Sequence, residues 1–175
     1  MNWDEYFIII AEDVSLKSKC LSRNVGVVIV KDGKFIISTG YNGPAAKCPH
    51  CDDPKYRAWL ATLKNYPINP DNVCPRQAMG YQSSEGMLYC QAAHAERNSI
   101  DISAKLGHKL DGATLYMNSG YPCMECAKSI VNSGIKEVVI ISENVYESKG
   151  ISGKDILLFG GVSVRIVNIE KIKVI

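Results

Sequence analysis

The chain has 175 residues, of which 46% are hydrophobic and 22% are charged, and its formal net charge at pH 7 is +2. This composition is typical of one globular domain with a proper core, and it excludes a disordered or low-complexity chain. No run of lysine and arginine exceeds two adjacent residues, so the charge gives no indication of a dedicated duplex-binding surface.

The first residues do not have the pattern of a secretory signal. The apolar stretch at residues 6–11 is short, and acidic residues flank it where a basic segment would be expected. No apolar run approaches the roughly 20 residues that a membrane-spanning helix needs. Seven cysteines without such a signal indicate reduced thiols and metal binding, so we expect a cytoplasmic protein without membrane contact.

Apolar periodicity predicts a helix at the start of the chain. Large apolar side chains recur at spacings of four, three and four, which predicts a buried stripe on one helix face: Trp3, Phe7, Ile10 and Val14. A β-branched run at 25–30 and an apolar run at 35–37 predict two strands, joined by a hairpin turn at Asp32-Gly33. The glycines and asparagine in residues 40–43 predict a sharp turn where the second strand ends.

Residues 44–90 interrupt this pattern. They hold six of the seven prolines and four of the seven cysteines, and they show little clean periodicity. A loop of that length inside a compact domain requires either a function or a local staple. We therefore interpret residues 44–90 as a cysteine- and proline-rich insert within a single domain that covers residues 1–175.

Regular structure is predicted again from residue 94 onward. The sequence predicts helices and strands that alternate, at 94–106, 114–117, 123–131, 138–141, 155–159 and 162–167. Helices that alternate with buried strands predict a three-layer α/β/α domain.

Two short motifs supply the ligand types of a catalytic zinc site. The sequence His-Ala-Glu at residues 94–96 provides an imidazole and a carboxylate, and Pro-Cys-Met-Glu-Cys at residues 122–126 provides two thiols. One histidine and two cysteines leave the fourth tetrahedral position of Zn²⁺ open for water. Zinc lowers the pKa of such a water from about 15.7 to about 7, which suits hydrolysis at an amidine-like carbon.

The spacing places these residues at the starts of two predicted helices. Cys123 and Cys126 project from one helix face, and the positive helix N-terminus favours their thiolate forms. His94 and Glu96 would diverge in the middle of a helix, but in a first turn both face a pocket beyond the helix end. We predict that both helices direct their N-termini at one zinc ion held by His94, Cys123 and Cys126, with Glu96 as general acid and base. A structural zinc or a chance pattern is the alternative interpretation.

Six segments carry a resemblance to a known family: residues 3–7, 19–26, 40–44, 94–98, 122–128 and 133–138. With these segments the chain resembles the deoxycytidylate (dCMP) deaminases of the cytidine deaminase superfamily over nearly its full length. The resemblance implies a five-stranded mixed sheet covered by helices and the hydrolysis of dCMP to dUMP and ammonia, which supplies dUMP for thymidylate synthesis. It also implies a homo-oligomer, often a hexamer, and regulation by dCTP, with Mg²⁺, and by dTTP.

Several residues are candidate contacts for the substrate. The resemblance implies that Asn42 helps to bind the nucleotide, and we predict Ala95 as a further substrate-binding residue. Tyr121 precedes the Pro-Cys pair, where it either stacks on the base or packs beside the sheet edge. Arg23 and Arg97 are candidate phosphate partners because guanidinium groups suit phosphate, although a solvated surface role is the usual one for arginine. Arg97 stands where the family usually has an apolar or amide residue.

Four cysteines match positions at which some members of the family bind a second, structural zinc: Cys20, Cys51, Cys74 and Cys90. Four thiolates close a tetrahedral site completely, and such a site would stabilise the insert. Cys48 or His50 is an alternative ligand for one of the four positions. The other interpretation is that several of these cysteines are buried free thiols.

Other functions remain as alternatives at this point. An enzyme that also accepts dCTP or a modified dCMP would carry the same zinc motifs. A nucleic-acid editing deaminase is a second class, which the absence of a basic stripe disfavours. A catalytically silent zinc scaffold is a third, which the presence of Glu96 disfavours.

Overall fold

The computed structural model describes residues 1–63, 73–82, 85–145 and 150–168. In chain order these residues form α1 Trp3–Ser15, β1 Gly26–Lys31, β2 Phe35–Tyr41, β3 Gly43–Pro44, α2 Pro54–Leu60, α3 Pro75–Ala78, a 3₁₀ turn Met87–Tyr89, β4 Ala92–Ala93, α4 Ala95–Leu106, β5 Thr114–Met117, α5 Met124–Asn132, β6 Glu137–Ile140, α6 Gly153–Phe159 and β7 Ser163–Ile166. The longest helix among the described residues, α1, has 13 residues, and none of the helices there meets the length and apolarity that a bilayer demands.

The central element is a mixed sheet with the strand order β2-β1-β5-β6-β7. Strand β1 is antiparallel to both β2 and β5, whereas β5, β6 and β7 are parallel. The predicted five-stranded mixed sheet is therefore confirmed. The parallel strands β5 and β6 have their carboxyl ends at the same edge, where α/β folds usually bind ligands.

The sheet is covered by helices on both faces. Successive strand residues point to opposite faces, so Val28 and Val30 of β1 pack under α1, while Val27 and Ile29 pack on the other side. Helices α4, α5 and α6 contribute to this second and larger core. The three-layer α/β/α arrangement predicted from the sequence is thus the observed one.

The predicted hairpin and the predicted end of the second strand are both observed. Asp32 and Gly33 both have positive φ, as a tight two-residue hairpin turn requires, and Lys34 donates a backbone hydrogen bond to Lys31 at 3.2 Å. Strand β2 ends at Tyr41, within the predicted residues 40–43, and the chain bends at Asn42. A Cβ on Gly40 would lie 2.4 Å from the carbonyl oxygen of Ala95. Glycine is required there because α4 packs against the strand backbone.

Helix α1 is placed as predicted, but its buried face is rotated. Asn2 caps the helix in a capping box with Glu5. Phe7, Ile8 and Ala11 form the buried face, whereas Trp3 is 53% exposed and stacks on the ring of Phe7. The buried stripe thus begins one turn later than the periodicity predicted.

The described part of the insert contains more regular structure than the sequence indicated. Its two short helices are held by side chains that bond to backbone carbonyl groups. Arg57 donates to Cys51 at 2.6 Å and to Val73 at 3.0 Å, and the Tyr56 hydroxyl donates to the carbonyl oxygen of Tyr89 at 2.7 Å. Such non-local bonds leave no periodic signal in the sequence, which is why these helices were missed.

Candidate metal centre

Two helix N-termini meet at the carboxyl edge of the sheet, as the motif spacing predicted. His94 is the N-cap residue of α4, and Cys123 is the N-cap residue of α5 after the loop that follows β5. Neither side chain makes a capping hydrogen bond, so both are directed away from their own helices. Cys126 lies in the first turn of α5 and is buried.

These three side chains bring their ligand atoms together. Nδ1 of His94 is 3.4 Å from Sγ of Cys123 and 3.4 Å from Sγ of Cys126. Within the described ranges, this is the one group of three histidine, cysteine or acidic side chains whose ligand atoms all lie within 4.8 Å of one another. A single nitrogen lone pair cannot accept two good hydrogen bonds from thiols, so the arrangement suits a shared cation better than a hydrogen-bonded cluster.

The pKa shifts of these side chains differ in direction, and the lowered pKa of Cys123 is the one that favours metal binding. The pKa of Cys123 is lowered to about 4, chiefly because the thiol of Cys126 donates a hydrogen bond to its sulfur and also because of the bond to His94. The same bond to Cys123, together with burial, raises the pKa of Cys126, and the bond to Cys123 also raises the pKa of His94. Cys123 is therefore a thiolate near neutral pH, which is the form that binds zinc.

Glu96 lies beside this group on the first turn of α4. Its side chain is 5% exposed, and burial raises its pKa above the usual value, although the nearby His94 opposes that effect. A buried carboxyl group with a raised pKa at the wall of a cavity is suited to accept and release protons near neutral pH.

A cavity of about 810 Å³ opens over the metal ligands. Four residues singled out from the sequence for substrate binding line it: Arg23, Asn42, Ala95 and Tyr121. Asn42 and Tyr121 are almost fully buried, and Ala95 is fully buried, whereas Arg23 is exposed. The ammonium group of Lys154 lies 5.3 Å from the ring centroid of Tyr121. Arg97 also lines the cavity and is exposed.

Residues 1–142 match the family described as the cytidine and deoxycytidylate deaminase zinc-binding region. The chain belongs to this deaminase family. The match spans both motifs that form the candidate metal centre.

Named relatives in this deaminase family agree with that assignment. The chain is 37% identical over 172 residues to the deoxycytidylate deaminase of Enterobacteria phage T4, covering 89% of this chain and 84% of the relative. It is 30% identical over 166 residues to the deoxycytidylate deaminase of Pongo abelii, covering 94% and 79%. The dCMP deaminase of cyanophage S-TIM5, solved in complex with dCMP and dUMP, superimposes with a TM-score of 0.63 at 26% identity over 93% of this chain and 95% of that one.

Two cavity residues of this family member were not anticipated from the sequence. Arg76 comes from the insert and Gln91 directly follows it, and both line the same cavity. Each has a buried side-chain nitrogen, Nε of Arg76 and Nε2 of Gln91, without a hydrogen-bond partner among the described residues. Nothing in the sequence distinguishes these two from other polar residues, because only the fold brings the insert over the zinc motifs.

The four cysteines predicted for a second zinc are neighbours in the structure. The pKa of Cys51 is raised to about 12, first by burial and then by the charges of Cys90, Cys20 and Cys74. Cys20 and Cys90 also line the cavity. The sulfur atoms of these described residues do not form a group within 4.8 Å of one another, and Cys48 is exposed.

Proposed function

We propose that this protein is a zinc-dependent deoxycytidylate deaminase that converts dCMP and water to dUMP and ammonia. The observation that carries the proposal is the convergence of His94, Cys123 and Cys126 beside the buried Glu96. Relatives that share between 30% and 37% of their aligned residues with this chain bear that enzyme name. The S-TIM5 enzyme, a structural neighbour, was crystallised with dCMP and dUMP.

The donor atoms fit zinc in both type and spacing. Zinc–nitrogen bonds of about 2.0 Å and zinc–sulfur bonds of about 2.3 Å place tetrahedral ligands roughly 3.5 Å apart. The two nitrogen–sulfur distances of 3.4 Å match that spacing. A bound zinc ion would lower the pKa of a water molecule to about 7, as it does in such sites. His94, Cys123 and Cys126 would hold the ion.

Glu96 is the catalytic residue in this proposal. Its burial raises its pKa above the usual value, in the direction that suits a general acid and base. We assign it the removal of a proton from the attacking water, whose oxygen bonds to C4 of cytosine, and the transfer of that proton to the ring nitrogen N3. It then takes the hydroxyl proton of the C4 adduct and passes it to the amine nitrogen, so that the C4–N4 bond breaks and ammonia leaves while C4 keeps the oxygen. Its place on the first turn of α4, two residues after His94, keeps its carboxylate at the cavity wall.

The remaining cavity residues hold the nucleotide. Asn42 and Ala95 line the cavity near the metal ligands and are assigned to the sugar and the base. Tyr121 offers an aromatic ring that is 8% exposed and is assigned to stacking on the base. Arg23 is assigned to the 5′-phosphate because a guanidinium group forms paired hydrogen bonds with phosphate oxygens.

An ammonia-release assay over a substrate panel tests this function. We expect turnover of dCMP to exceed that of CMP, dCTP, deoxycytidine and a cytosine-containing oligonucleotide. Preference for dCTP would support the broader nucleotide specificity, and preference for the oligonucleotide, with steep salt dependence, would support a nucleic-acid editing enzyme. Absence of ammonia release from dCMP by the zinc-loaded protein would contradict the proposal.

Two glutamate variants separate the catalytic role from a general charge effect. Glu96→Gln keeps the size of the side chain and should lower kcat about 10²- to 10⁴-fold while the protein retains zinc. Glu125→Gln is the matched control, because Glu125 also lines the cavity but is exposed and pairs with Lys128 at 2.6 Å. Substantial activity in Glu96→Gln would remove Glu96 from its assigned role.

We also propose that Cys20, Cys51, Cys74 and Cys90 bind a second, structural zinc. The mutual effect of their charges on the pKa of Cys51 supports this ligand set. Metal analysis should then find two zinc ions per chain, and Cys74→Ser should lose one of them and unfold at a lower temperature. A stoichiometry of one zinc in the unaltered chain would contradict the second site.

Further features are proposed on the family resemblance. We propose a homo-oligomer, a hexamer by that resemblance, and the exposed apolar side chains of Leu106, Leu158 and Phe159 support association. Light scattering on the purified protein measures its mass. We propose activation by dCTP with Mg²⁺, inhibition by dTTP, and supply of dUMP for thymidylate synthesis in the cytoplasm. Assays with and without these nucleotides test the regulation.

A further inference from the structure

A buried hydroxyl group connects the end of the first helical segment to the cavity wall. The side chain of Ser18 is 8% exposed, and its Oγ donates a hydrogen bond to the backbone carbonyl of Asn42 at 2.8 Å. The same oxygen accepts the backbone N–H of Cys20 at 3.2 Å. Ser18 and Asn42 are 24 residues apart in sequence, so this bond joins two separate segments.

Asn42 in turn fixes the segment that carries Arg23. Its Oδ1 accepts the backbone N–H of Val25 at 2.8 Å, and its Nδ2 donates to the backbone carbonyl of Arg23 at 2.9 Å. Its backbone N–H also donates to the carbonyl oxygen of Val25 at 3.2 Å. Three hydrogen bonds therefore run from Asn42, which is 7% exposed, to residues 23–25.

The side chain of Arg23 reaches the cavity from this segment. Arg23 and Asn42 both line the cavity over the metal ligands, whereas Ser18 does not. Paired hydrogen bonds between a guanidinium group and a phosphate depend on a narrow range of geometry, and a displacement of about 1 Å can cost a large factor in binding or rate. The backbone that carries Arg23 must therefore be held firmly.

We propose that Ser18 is a positioning residue for nucleotide binding. Its hydroxyl group holds Asn42, and Asn42 holds the backbone of residues 23–25, so that the Arg23 guanidinium group meets the 5′-phosphate of the substrate. This proposal rests on the deaminase function proposed above and adds a residue that does not touch the nucleotide. Ser18 acts on substrate binding and leaves the proton transfers of Glu96 unchanged.

Steady-state kinetics with dCMP test this role through a double-mutant cycle. Ser18→Ala should raise KM about tenfold, because the buried carbonyl of Asn42 and the N–H of Cys20 lose their partner, while kcat stays within about twofold. In an Arg23→Ala background, Ser18→Ala should change KM by less than about twofold, since the group it positions is gone.

A matched variant controls for the loss of a buried hydroxyl group. Ser103 is fully buried in α4, and its hydroxyl donates to the carbonyl oxygen of Ser99 at 2.9 Å without serving the 23–25 segment. Ser103→Ala should leave the KM for dCMP unchanged. If Ser18→Ala does not fold, Ser18→Cys should show a smaller rise in KM that likewise depends on Arg23, because a thiol is a weaker hydrogen-bonding group.

Two results would overturn the proposal. The first is an unchanged KM in a folded Ser18 variant, and the second is the same rise in KM whether or not Arg23 is present. Ammonia release from dCMP by the unaltered protein is measured first. If it is absent, the proposed enzyme function fails; if it is present and the Ser18 variants behave otherwise than expected, the positioning role alone fails.

Discussion

Substitution of Gly40 by alanine should damage the metal centre through the fold. A Cβ at this position would lie 2.4 Å from the carbonyl oxygen of Ala95 and 2.6 Å from the backbone nitrogen of Ser99. Ordinary contacts of a Cβ begin at 3.4 Å, so the first turn of α4 must move away from β2 by about 1 Å. Ala95 lies between His94 and Glu96, and that movement displaces both functional side chains.

The expected cost has a stability part and a catalytic part. Overpacking of this kind typically costs about 1–3 kcal/mol of unfolding free energy, which lowers Tm by about 2–10 °C in a chain of this size. A displacement of about 1 Å at the reacting groups lowers the rate by roughly 10²-fold. Thermal denaturation measures the first effect, and ammonia release from dCMP at a temperature where the variant is folded measures the second.

Gly150→Ala is the matched control for this substitution. No atom of the described residues lies within 4 Å of the position of its added Cβ. The control should therefore keep the Tm and kcat of the unaltered protein. A Gly40→Ala protein with unchanged Tm and a kcat within about twofold would refute the close packing of α4 on β2 as the support of the metal centre.

Two further predictions concern stability away from the cavity. Hydrogen bonds from Arg165 are the largest cause that holds the pKa of Asp4 below its usual value. This pair therefore stabilises the fold above about pH 3.9, and its contribution to the unfolding free energy is lost as the pH falls through the lowered pKa. Asp4→Asn should thus lower the unfolding free energy at pH 7 by up to about 1 kcal/mol, since the pair is partly exposed. In urea denaturation, the difference between the variant and the unaltered protein should shrink below about pH 3.9. A difference that persists there would contradict the pairing. Ser152 caps α6 in a capping box with Asp155, so Ser152→Ala should cost about 1 kcal/mol in the same assay, and no loss would mean that the cap contributes nothing.

The sequence was sufficient to predict the convergence of the candidate ligands and much of the fold. A histidine and two cysteines at the starts of two predicted helices led to the expectation that the helix N-termini converge, and the observed N-cap positions of His94 and Cys123 agree with it. This worked because helix starts and ligand spacing are local properties of the chain. The strand pattern in residues 114–167 was predictable for the same reason, since buried parallel strands are continuous apolar runs.

Other features depend on contacts between distant residues and could not be predicted. The glycine at position 40 suggested a turn, but its role is the close approach of α4, which only the folded chain reveals. Trp3 continues the apolar period of α1 and is nonetheless exposed, with its ring stacked on that of Phe7. The contact of Ser18 with Asn42 and the positions of Arg76 and Gln91 at the cavity wall likewise depend on neighbours far away in sequence.

The most direct test of the account is a zinc titration followed by ammonia release from dCMP. Protein stripped with a chelator should be inactive, and activity should return as zinc is added and reach its maximum when the site of His94, Cys123 and Cys126 is filled. A parallel titration of Cys126→Ser should recover no activity at any zinc concentration. Full dCMP deamination by the metal-free protein, or by Cys126→Ser, would contradict the claim that these three residues hold the ion on which the reaction depends.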